Sequence, residues 1–316
     1  MRILLATDGS RSADRARDLV ATLPWPDGSV VRVVAGAEAR SSIAGSPWIA
    51  PVAIESHELE REMDRHVENT LDDAERTLER PGLGVERLIL HGRPATAIVD
   101  EAREWSADLI VLGNRGHGPF GAMLLGSVSA EVVDHAPCPV LVVRRADAGE
   151  VVFADDGSPG ARHAAAVFTE WTCLRALPVT VLSVADLGLP WAASPVPGVY
   201  DRVLETYMAD VDLARSQVNR VATDAAAELR GIGVAATSAV REGDPAHEIV
   251  EFARERGASI IVLGTRGQTG LARFLLGSVA RNVLLHAPCS VLVVREKAVV
   301  RPMGAEAELT LVGSGR

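Results

Sequence analysis

Two glycine-spaced stretches are the parts of this sequence best suited to chemistry. Each has the form G-x-x-G, then nine residues, then G-S; one begins at Gly113 and the other at Gly264. Glycine permits positive φ and places no Cβ between a backbone and a ligand, so such a loop can wrap its amides around an anion. The pattern predicts a phosphate-binding loop that lacks the lysine of a P-loop.

A helix is expected directly after each loop, beginning at Val128 and at Val279. Serine is a preferred N-cap residue, so we expect Ser127 and Ser278 to cap these helices. The free amides and the positive dipole end of a helix N-terminus suit phosphate. The alternative is that the glycines only form turns and the serines only cap helices.

Both stretches belong to a repeat that covers most of the 316 residues. About half of the positions in 107–144 are identical in 258–295, and LLATDGS (4–10) corresponds to VFADDGS (152–158). The offset changes from 148 to 151 between these segments, so the second copy has gained three residues, as loops tolerate. Chain length and repeat predict domains at 1–146 and 150–297, joined by a short polar linker and followed by a C-terminal tail at 298–316.

Within each copy, short apolar runs alternate with stretches of helical periodicity, such as 11–22, 58–80 and 94–104. This alternation implies right-handed parallel crossovers. The predicted fold class is therefore α/β, with two tandem doubly wound (Rossmann-like) domains, each a five-stranded parallel sheet with helices on both faces. The expected strands are 2–7, 30–35, 85–90, 108–113 and 139–144 in the first copy, and 151–155, 179–185, 234–240, 259–264 and 290–295 in the second.

In a doubly wound sheet, ligands bind beyond the carboxyl ends of the strands, where the strand order reverses. If the first and fourth strands flank that point, TDGS (7–10) faces GNRG (113–116) across a crevice. DDGS (155–158) and GTRG (264–267) are expected to do the same in the second copy. The sequence thus predicts two sites, each built from residues more than a hundred positions apart.

Composition argues against several kinds of partner. The net charge of −10 and the pI near 5.3 oppose binding to nucleic acid or to an anionic membrane, which demand concentrated positive charge. No long apolar run or signal peptide is apparent, so a cytoplasmic location is expected. Cys138, Cys173 and Cys289 are too scattered for a disulfide framework, and no metal site is predicted. We expect Cys138 and Cys289 to be small buried residues and His135 and His286 to end helices.

The glycine pattern, TDGS after the first strand and G-x-P before the penultimate crossover together resemble the universal stress protein family. The likeness covers residues 1 to about 297 as two tandem domains, and the complete glycine pattern is that of the family's ATP-binding branch. The resemblance implies strand order 3-2-1-4-5, an adenosine near the ends of the first two strands and a triphosphate wrapped by the glycine loop. ATP, ADP or AMP would be the ligand, with Mg²⁺ accompanying ATP.

By position, the resemblance assigns Asp8 and Asp156 to the adenosine; their alternative role is a helix N-cap in an Asx-turn. The family commonly has valine at the end of the second strand. Val184 fits this pattern, whereas the first copy has Ala35 and Gly36, so weaker binding is expected there. The candidate ATP-binding residues are Ala6, Thr7, Asp8, Ala35, Gly36, Gly113, Asn114, Arg115, Gly116, Gly126, Ser127 and Val128 in the first copy, and Ala154, Asp155, Asp156, Val184, Gly264, Thr265, Arg266, Gly267, Arg273, Gly277, Ser278 and Val279 in the second.

Three of these candidates are arginines. Arg115 and Arg266 could reach phosphate or lie in solvent, and Arg273 is an optional phosphate contact that has Ala122 at the equivalent position in the first copy.

The runs PVLVVR (139–144) and SVLVVR (290–295) resemble the family's dimer-forming edge strands. Pairing removes the exposure of an apolar edge. We therefore expect these strands to pair within the chain as a pseudo-dimer, and a homodimer of the whole chain is left open. Ordinary core packing is the alternative.

The predicted function is an adenine-nucleotide-binding regulatory protein that acts as a nucleotide-dependent switch on a protein partner of unknown identity. No residue pair is well placed to activate water, so no catalytic residue is assigned and any hydrolysis should be slow. The alternatives are a slow Mg²⁺-dependent ATPase, an adenylating enzyme, or an interaction module in which the nucleotide is only structural. Adenylating relatives would show HIGH-like or SGGxDS-like sequences where TDGS stands. Gly113→Ala with Gly264→Ala is expected to weaken ATP binding and leave the fold intact.

Overall fold

The computed structural model describes residues 1–37, 56–116, 125–186, 199–265 and 276–295. The two copies of the repeat, hereafter the first and second halves, have the same element order apart from one short added helix, α6. The first half contains β1 (Arg2–Thr7), α1 (Arg11–Thr22), β2 (Ser29–Ala37), α2 (Ser56–Leu78), β3 (Leu83–His91), α3 (Pro94–Glu104), β4 (Leu109–Gly113), α4 (Ser127–His135) and β5 (Val140–Val143). The second contains β6 (Val151–Ala154), α5 (Pro159–Glu170), α6 (Thr172–Arg175), β7 (Val179–Ala185), α7 (Val199–Gly231), β8 (Ala236–Glu242), α8 (Pro245–Arg256), β9 (Ile260–Gly264), α9 (Ser278–His286) and β10 (Ser290–Val294).

The strands of the described residues form one ten-stranded sheet in the order β3-β2-β1-β4-β5-β10-β9-β6-β7-β8. Within each half the order is 3-2-1-4-5 and the pairing is parallel, as predicted. The halves join through β5 and β10, which pair antiparallel with Val142 opposite Val291. The predicted pairing of these runs within the chain is thus confirmed. The two expected sheets are one continuous sheet, because each edge strand finds its partner in the other half.

Apolar side chains cover the sheet on both faces, which explains why its inner strands are aliphatic throughout. One core cluster packs α1, α2, α5 and α7 on one face and includes the ring pair of Phe153 and Phe168, with centroids 5.4 Å apart. The other cluster packs α3, α4, α8 and α9 on the opposite face. Helices therefore cover both faces of the sheet, and a ligand is expected beyond the carboxyl ends of the strands, where the strand order reverses.

The connection between the halves is bonded to the second half. Asp147 Oδ2 accepts a hydrogen bond from Ser259 Oγ at 2.7 Å, and Glu150 Oε1 accepts one from Arg256 Nη2 at 2.9 Å. The domain limits 1–146 and 150–297 stay predictions, and the predicted tail at 298–316 lies outside the described residues. No helix within the described ranges is long and apolar enough to cross a membrane.

Candidate functional site

The chain turns sharply after β1 and after β6 in the same way. Gly9 has a φ of +74°, and its counterpart in the second half has a φ of +75°, in the left-handed region that favours glycine. The Ser10 N–H donates to Asp8 Oδ1 at 3.0 Å, and Ser158 donates to Asp156 at the same distance. Each aspartate therefore closes an Asx-turn with one carboxylate oxygen.

Helices α1 and α5 begin directly after these turns. Ser10 is the N-cap of α1, and its Oγ accepts a hydrogen bond from Ala13 N–H at 3.2 Å; Ser158 caps α5 in the same way. Of the alternative role of Asp8 and Asp156, the Asx-turn is therefore confirmed and the N-cap is wrong. A serine directly before a stretch of helical periodicity was the available signal for the true caps.

The glycine loop of the first half meets the turn after β1. β1 pairs with β4, so their carboxyl ends lie side by side where the strand order reverses. A Cβ added to Gly116 would overlap Asp8 Oδ2. Both residues are exposed, so solvent reaches this junction. The structure therefore places these two segments next to each other, as predicted.

Helices α4 and α9 begin one residue earlier than the sequence predicts. Gly126 is the N-cap of α4, and its carbonyl oxygen accepts a hydrogen bond from Ala130 N–H at 3.0 Å. Gly277 is the N-cap of α9, and neither cap makes a side-chain hydrogen bond. The predicted capping by Ser127 and Ser278 is therefore wrong. These serines occupy the first helical position instead, where their exposed side chains flank the loop.

The start of each helix is bonded to the strand end that precedes the glycine loop. Gly126 N–H donates to Asn114 O at 2.8 Å, and Gly277 N–H donates to Thr265 O at the same distance. The amides that follow, beginning with that of Ser127, have no acceptor within the helix because they lie in its first turn. We name each assembly of strand-end turn, glycine pattern and helix start a cradle.

The first glycine of each pattern faces a helix rather than the crevice. A Cβ added to Gly113 would lie 2.6 Å from the carbonyl carbon of Ser12 in α1. A Cβ added to Gly264 would lie 2.6 Å from the carbonyl carbon and oxygen of Gly160 in α5. These are backbone atoms of a packed helix and cannot move aside without shifting it. The geometry therefore predicts that alanine at these positions destabilises the fold, against the expectation that it leaves the fold intact.

Side chains tie the first cradle together in a way the sequence did not suggest. Ser12 Oγ donates to Asn114 Oδ1 at 2.7 Å in a buried position and accepts from Arg115 N–H at 3.3 Å. Ser129 Oγ donates to Gly113 O at 2.8 Å. These bonds connect α1, the start of the glycine loop and α4. Sequence reasoning missed both serines, because a small polar residue in a first helical turn carries no pattern of its own.

The second cradle lacks these hydroxyls, since Gly160 and Ala280 stand at the equivalent positions. It has a buried carboxylate instead: Asp155 accepts a hydrogen bond from Gly157 N–H at 2.8 Å, and its carbonyl oxygen accepts one from Ser183 Oγ at 2.6 Å. Burial raises the pKa of Asp155, although the hydrogen bond from Gly157 acts in the opposite direction. Asp155 supports the turn after β6 with its side chain.

The other predicted positions fall around the two cradles. Thr7 Oγ1 accepts a hydrogen bond from Gly9 N–H at 3.3 Å, and Ala35 is buried. Gly36 is exposed at the end of β2, where an added Cβ would lie 3.9 Å from Pro94, an ordinary contact. Its counterpart Val184 is half-buried against the core. Ala6, Ala154, Val128 and Val279 pack at the strand and helix ends, Arg115 is exposed, and Arg266, Gly267 and Arg273 lie outside the described residues.

The cysteines, and the histidines at the ends of α4 and α9, lie in positions where they support the fold. Burial raises the pKa of each of the three cysteines to about 12, so these thiols stay protonated. His135 and His286 end α4 and α9 as predicted, each with Nδ1 2.9 Å from a carbonyl oxygen of its own helix. No group of three histidine, cysteine, aspartate or glutamate side chains among the described residues could hold a metal ion.

Comparison with known proteins gives one consistent result. The model of the universal stress protein family matches residues 1–144 and 149–295. A universal stress protein of Thermus aquaticus is 38% identical over 143 residues, which cover 45% of this chain and 97% of that protein. One of Mycolicibacterium smegmatis is 28% identical over 309 residues, covering 93% and 97%. The crystal structure of a universal stress protein from Archaeoglobus fulgidus has the same fold, with a TM-score of 0.61 at 19% identity over 93% of this chain and 98% of that one.

Proposed function

This chain belongs to the universal stress protein family, and we propose that it binds ATP at one site in each half and acts as a nucleotide-dependent switch with slow hydrolysis. ADP or AMP would be the alternative ligand. The proposal includes a cytoplasmic location, where ATP is available, and a protein partner that responds to the nucleotide.

The observation that carries the proposal is the meeting of Asp8 with Gly116 beside the N-terminus of α4. A carboxylate accepts hydrogen bonds from the hydroxyl and amino groups of a nucleoside. First-turn amides and the positive end of the helix dipole suit phosphate. One cradle thus offers acceptors for the nucleoside and donors for the phosphates. Gly116, Gly126, Ser127 and Val128 would hold the phosphates in the first half, and Gly267, Gly277, Ser278 and Val279 in the second.

Magnesium would enter with ATP in this proposal. Mg²⁺ keeps several water molecules and is commonly bound through substrate phosphates and one or two carboxylates. The described residues contain no cluster of three metal-binding side chains, so phosphate and water would be its main ligands. The ion would neutralise phosphate charge in an acidic protein of net charge −10.

Slow hydrolysis is expected because the described segments of the first cradle contain a single carboxylate, that of Asp8. Asp8 is the one acidic residue in segments 6–10, 113–116 and 125–128 of the first cradle, and its Oδ1 already accepts the Ser10 N–H. In this proposal Asp8 contacts the nucleoside, so these segments offer no further carboxylate to activate a water molecule. A turnover assay with Mg²⁺ and ATP checks this point, since robust phosphate release would replace the switch by an ATPase.

The binding test uses the aspartates. Asn keeps the oxygen that accepts the turn amide and removes the charge, so Asp8→Asn with Asp156→Asn should preserve the fold. ATP affinity in calorimetry should fall about tenfold, because hydrogen bonds to a charged acceptor are lost. Asp100→Asn, at an exposed position on α3, is the matched control and should bind as the wild type does.

Two measurements on the wild-type protein decide the proposal. Mass analysis of nucleotide released from freshly purified protein should find an adenine nucleotide, and calorimetry should detect two ATP per chain. Protein that carries no nucleotide and binds neither ATP, ADP nor AMP would overturn the proposal. One ATP per chain would restrict it to a single half.

A further inference from the structure

The last strand of each half ends in an arginine that reaches across to the other half. Arg144 follows β5 and Arg295 follows β10, at equivalent positions of the repeat. Arg295 Nη1 donates to Val133 O at 3.1 Å and to Ala136 O at 3.0 Å, and its Nη2 donates to Asp134 O at 2.8 Å. The arginine of the second half therefore caps the C-terminus of α4 in the first half.

Arg144 makes the reciprocal contact. Its Nη2 donates to Leu284 O and its Nη1 to Cys289 O at 3.5 Å, at the end of α9 and just beyond it. Leu284 is the repeat equivalent of Val133. The last carbonyl groups of a helix have no donor of their own within it, so an arginine there completes the helix and interacts well with its dipole. The antiparallel pairing of β5 with β10 places both arginines where they can do this.

These are the same helices whose N-termini form the cradles. Each has nine residues and is therefore about 14 Å long. Its N-terminus is bonded to the strand end of its own half, through Gly126 to Asn114 or through Gly277 to Thr265. Its C-terminus is held by the other half. A shift at either end of so short a helix moves the other end with it.

The contacts close into a ring. Asn114 N–H donates to Val143 O at 3.0 Å, directly before Arg144, and Thr265 N–H donates to Val294 O at 2.9 Å, directly before Arg295. The path therefore runs from the first cradle through Arg144 and α9 to the second cradle. It returns through Arg295 and α4 to the first.

We propose that Arg144 and Arg295 are positioning residues, each of which holds the cradle helix of the opposite half, so that the nucleotide affinity of each site depends on an arginine of the other half. The inference rests on the proposed function, since both cradles must bind nucleotide. Loss of one arginine therefore loosens the cradle helix of the other half, and nucleotide affinity should fall in that half.

The guanidinium of Arg144 stays charged at neutral pH although it is largely buried. Burial lowers the pKa of Arg144 to about 10, and repulsion from Arg115 of the first cradle acts in the same direction. The guanidinium is still protonated at pH 7. A further ion pair between Arg281 of α9 and Asp134 of α4, at 3.2 Å, joins the two helices directly. Ala130 and Leu285 stand at the equivalent positions, so this pair has no symmetric partner.

The test asks which site each arginine affects. Asp156→Ala leaves the first site for measurement, and Asp8→Ala leaves the second. Arg295→Gln should weaken ATP binding about fivefold at the first site and leave the second within twofold, because the charged hydrogen bonds to the end of α4 are lost. Arg144→Gln should do the reverse. Arg145→Gln is the matched control, because this exposed arginine pairs with Asp147 of its own linker and should change neither affinity.

The crossed pattern separates this inference from its alternatives. Each arginine also lies next to the strand end of its own cradle, so a local role would weaken the site in its own half and overturn the inference. Equal loss at both sites with a lower melting temperature would show a purely structural role and would also overturn it. Lysine variants, which keep the charge but not the planar fork of donors, should give intermediate affinities. They replace the glutamine variants if those do not fold. Absence of ATP binding in the wild-type protein would be a failure of the proposed function instead.

Discussion

The two cradles share a backbone and differ in the side chains that support it. In both halves an aspartate closes the turn after the first strand at 3.0 Å, and a serine caps the next helix at 3.2 Å. A glycine N-cap amide is bonded to the strand end at 2.8 Å in both halves. Glycine, aspartate and serine thus recur where the backbone itself requires them.

The supporting side chains are different. The first cradle uses Ser12, Asn114 and Ser129 to join α1, the loop and α4. The second has glycine and alanine in place of the two serines, and instead joins the turn after β6 to β7 through Asp155 and Ser183. One backbone geometry can therefore be held by two different hydrogen-bond networks.

The largest expected effect tests what the cradles share. Gly113→Ala and Gly264→Ala should each lower the free energy of unfolding by about 2–3 kcal/mol, because the new methyl group meets the backbone of a packed helix. Urea denaturation followed by circular dichroism measures this loss. Gly36→Ala, whose methyl group makes an ordinary contact, is the control. If the variants were fully stable but no longer bound ATP, the glycines would contact the ligand, as the sequence predicted.

The network of the first cradle should be the next most sensitive. Ser12→Ala removes the donor to the buried Asn114 Oδ1 and should cost about 1–2 kcal/mol of unfolding free energy. Ser216→Ala, at an exposed position on α7, should cost much less. Denaturation curves of the two variants give the difference. Equal curves would mean that the Ser12 hydrogen bond adds nothing to the stability of the first half.

A smaller effect concerns the end of β2, where Gly36 occupies the position that Val184 has in the second half. Gly36→Val adds apolar surface beside the proposed adenine position and should tighten ATP binding at the first site about threefold. Calorimetry in the Asp156→Ala background isolates that site. Gly36→Thr has nearly the same shape but a hydroxyl, and should gain less. No gain with valine would show that this position does not face the base.

The smallest effect tests the buried carboxylate of the second cradle. The pKa of Asp155 is raised in the folded state above its ordinary value of 3.8, so its contribution to stability is full below that pH and is lost as pH rises through the folded pKa. Asp155→Thr introduces the residue type that Thr7 has at the equivalent position of the first half; it keeps an acceptor for the turn amide and removes the charge. Because the variant has no buried charge, its free energy of unfolding should exceed that of the wild type by an amount that grows above about pH 4 and then levels off. A gain independent of pH would exclude this origin.

Much of the fold could be predicted from the sequence. The repeat, the apolar runs and the helical periodicity gave β1, α1, α3 and β7 with their observed bounds. The pairing of β5 with β10 was expected because two apolar runs resemble the family's edge strands and would otherwise be exposed. Helix starts were less certain: Ser127 and Ser278 look like N-caps, but the preceding glycines adopt the cap conformation.

The sequence by itself determined which residues could form a cradle, because glycine spacing and the D-G-S turn are local backbone requirements. Only the tertiary structure decided what each residue does there. It placed the missing Cβ of Gly113 against α1 rather than a ligand, found Ser12 as the partner of Asn114, and brought Arg144 and Arg295 to helices of the opposite half. Such contacts join residues more than a hundred positions apart, and their direction depends on how helices pack on the sheet, which no local pattern encodes.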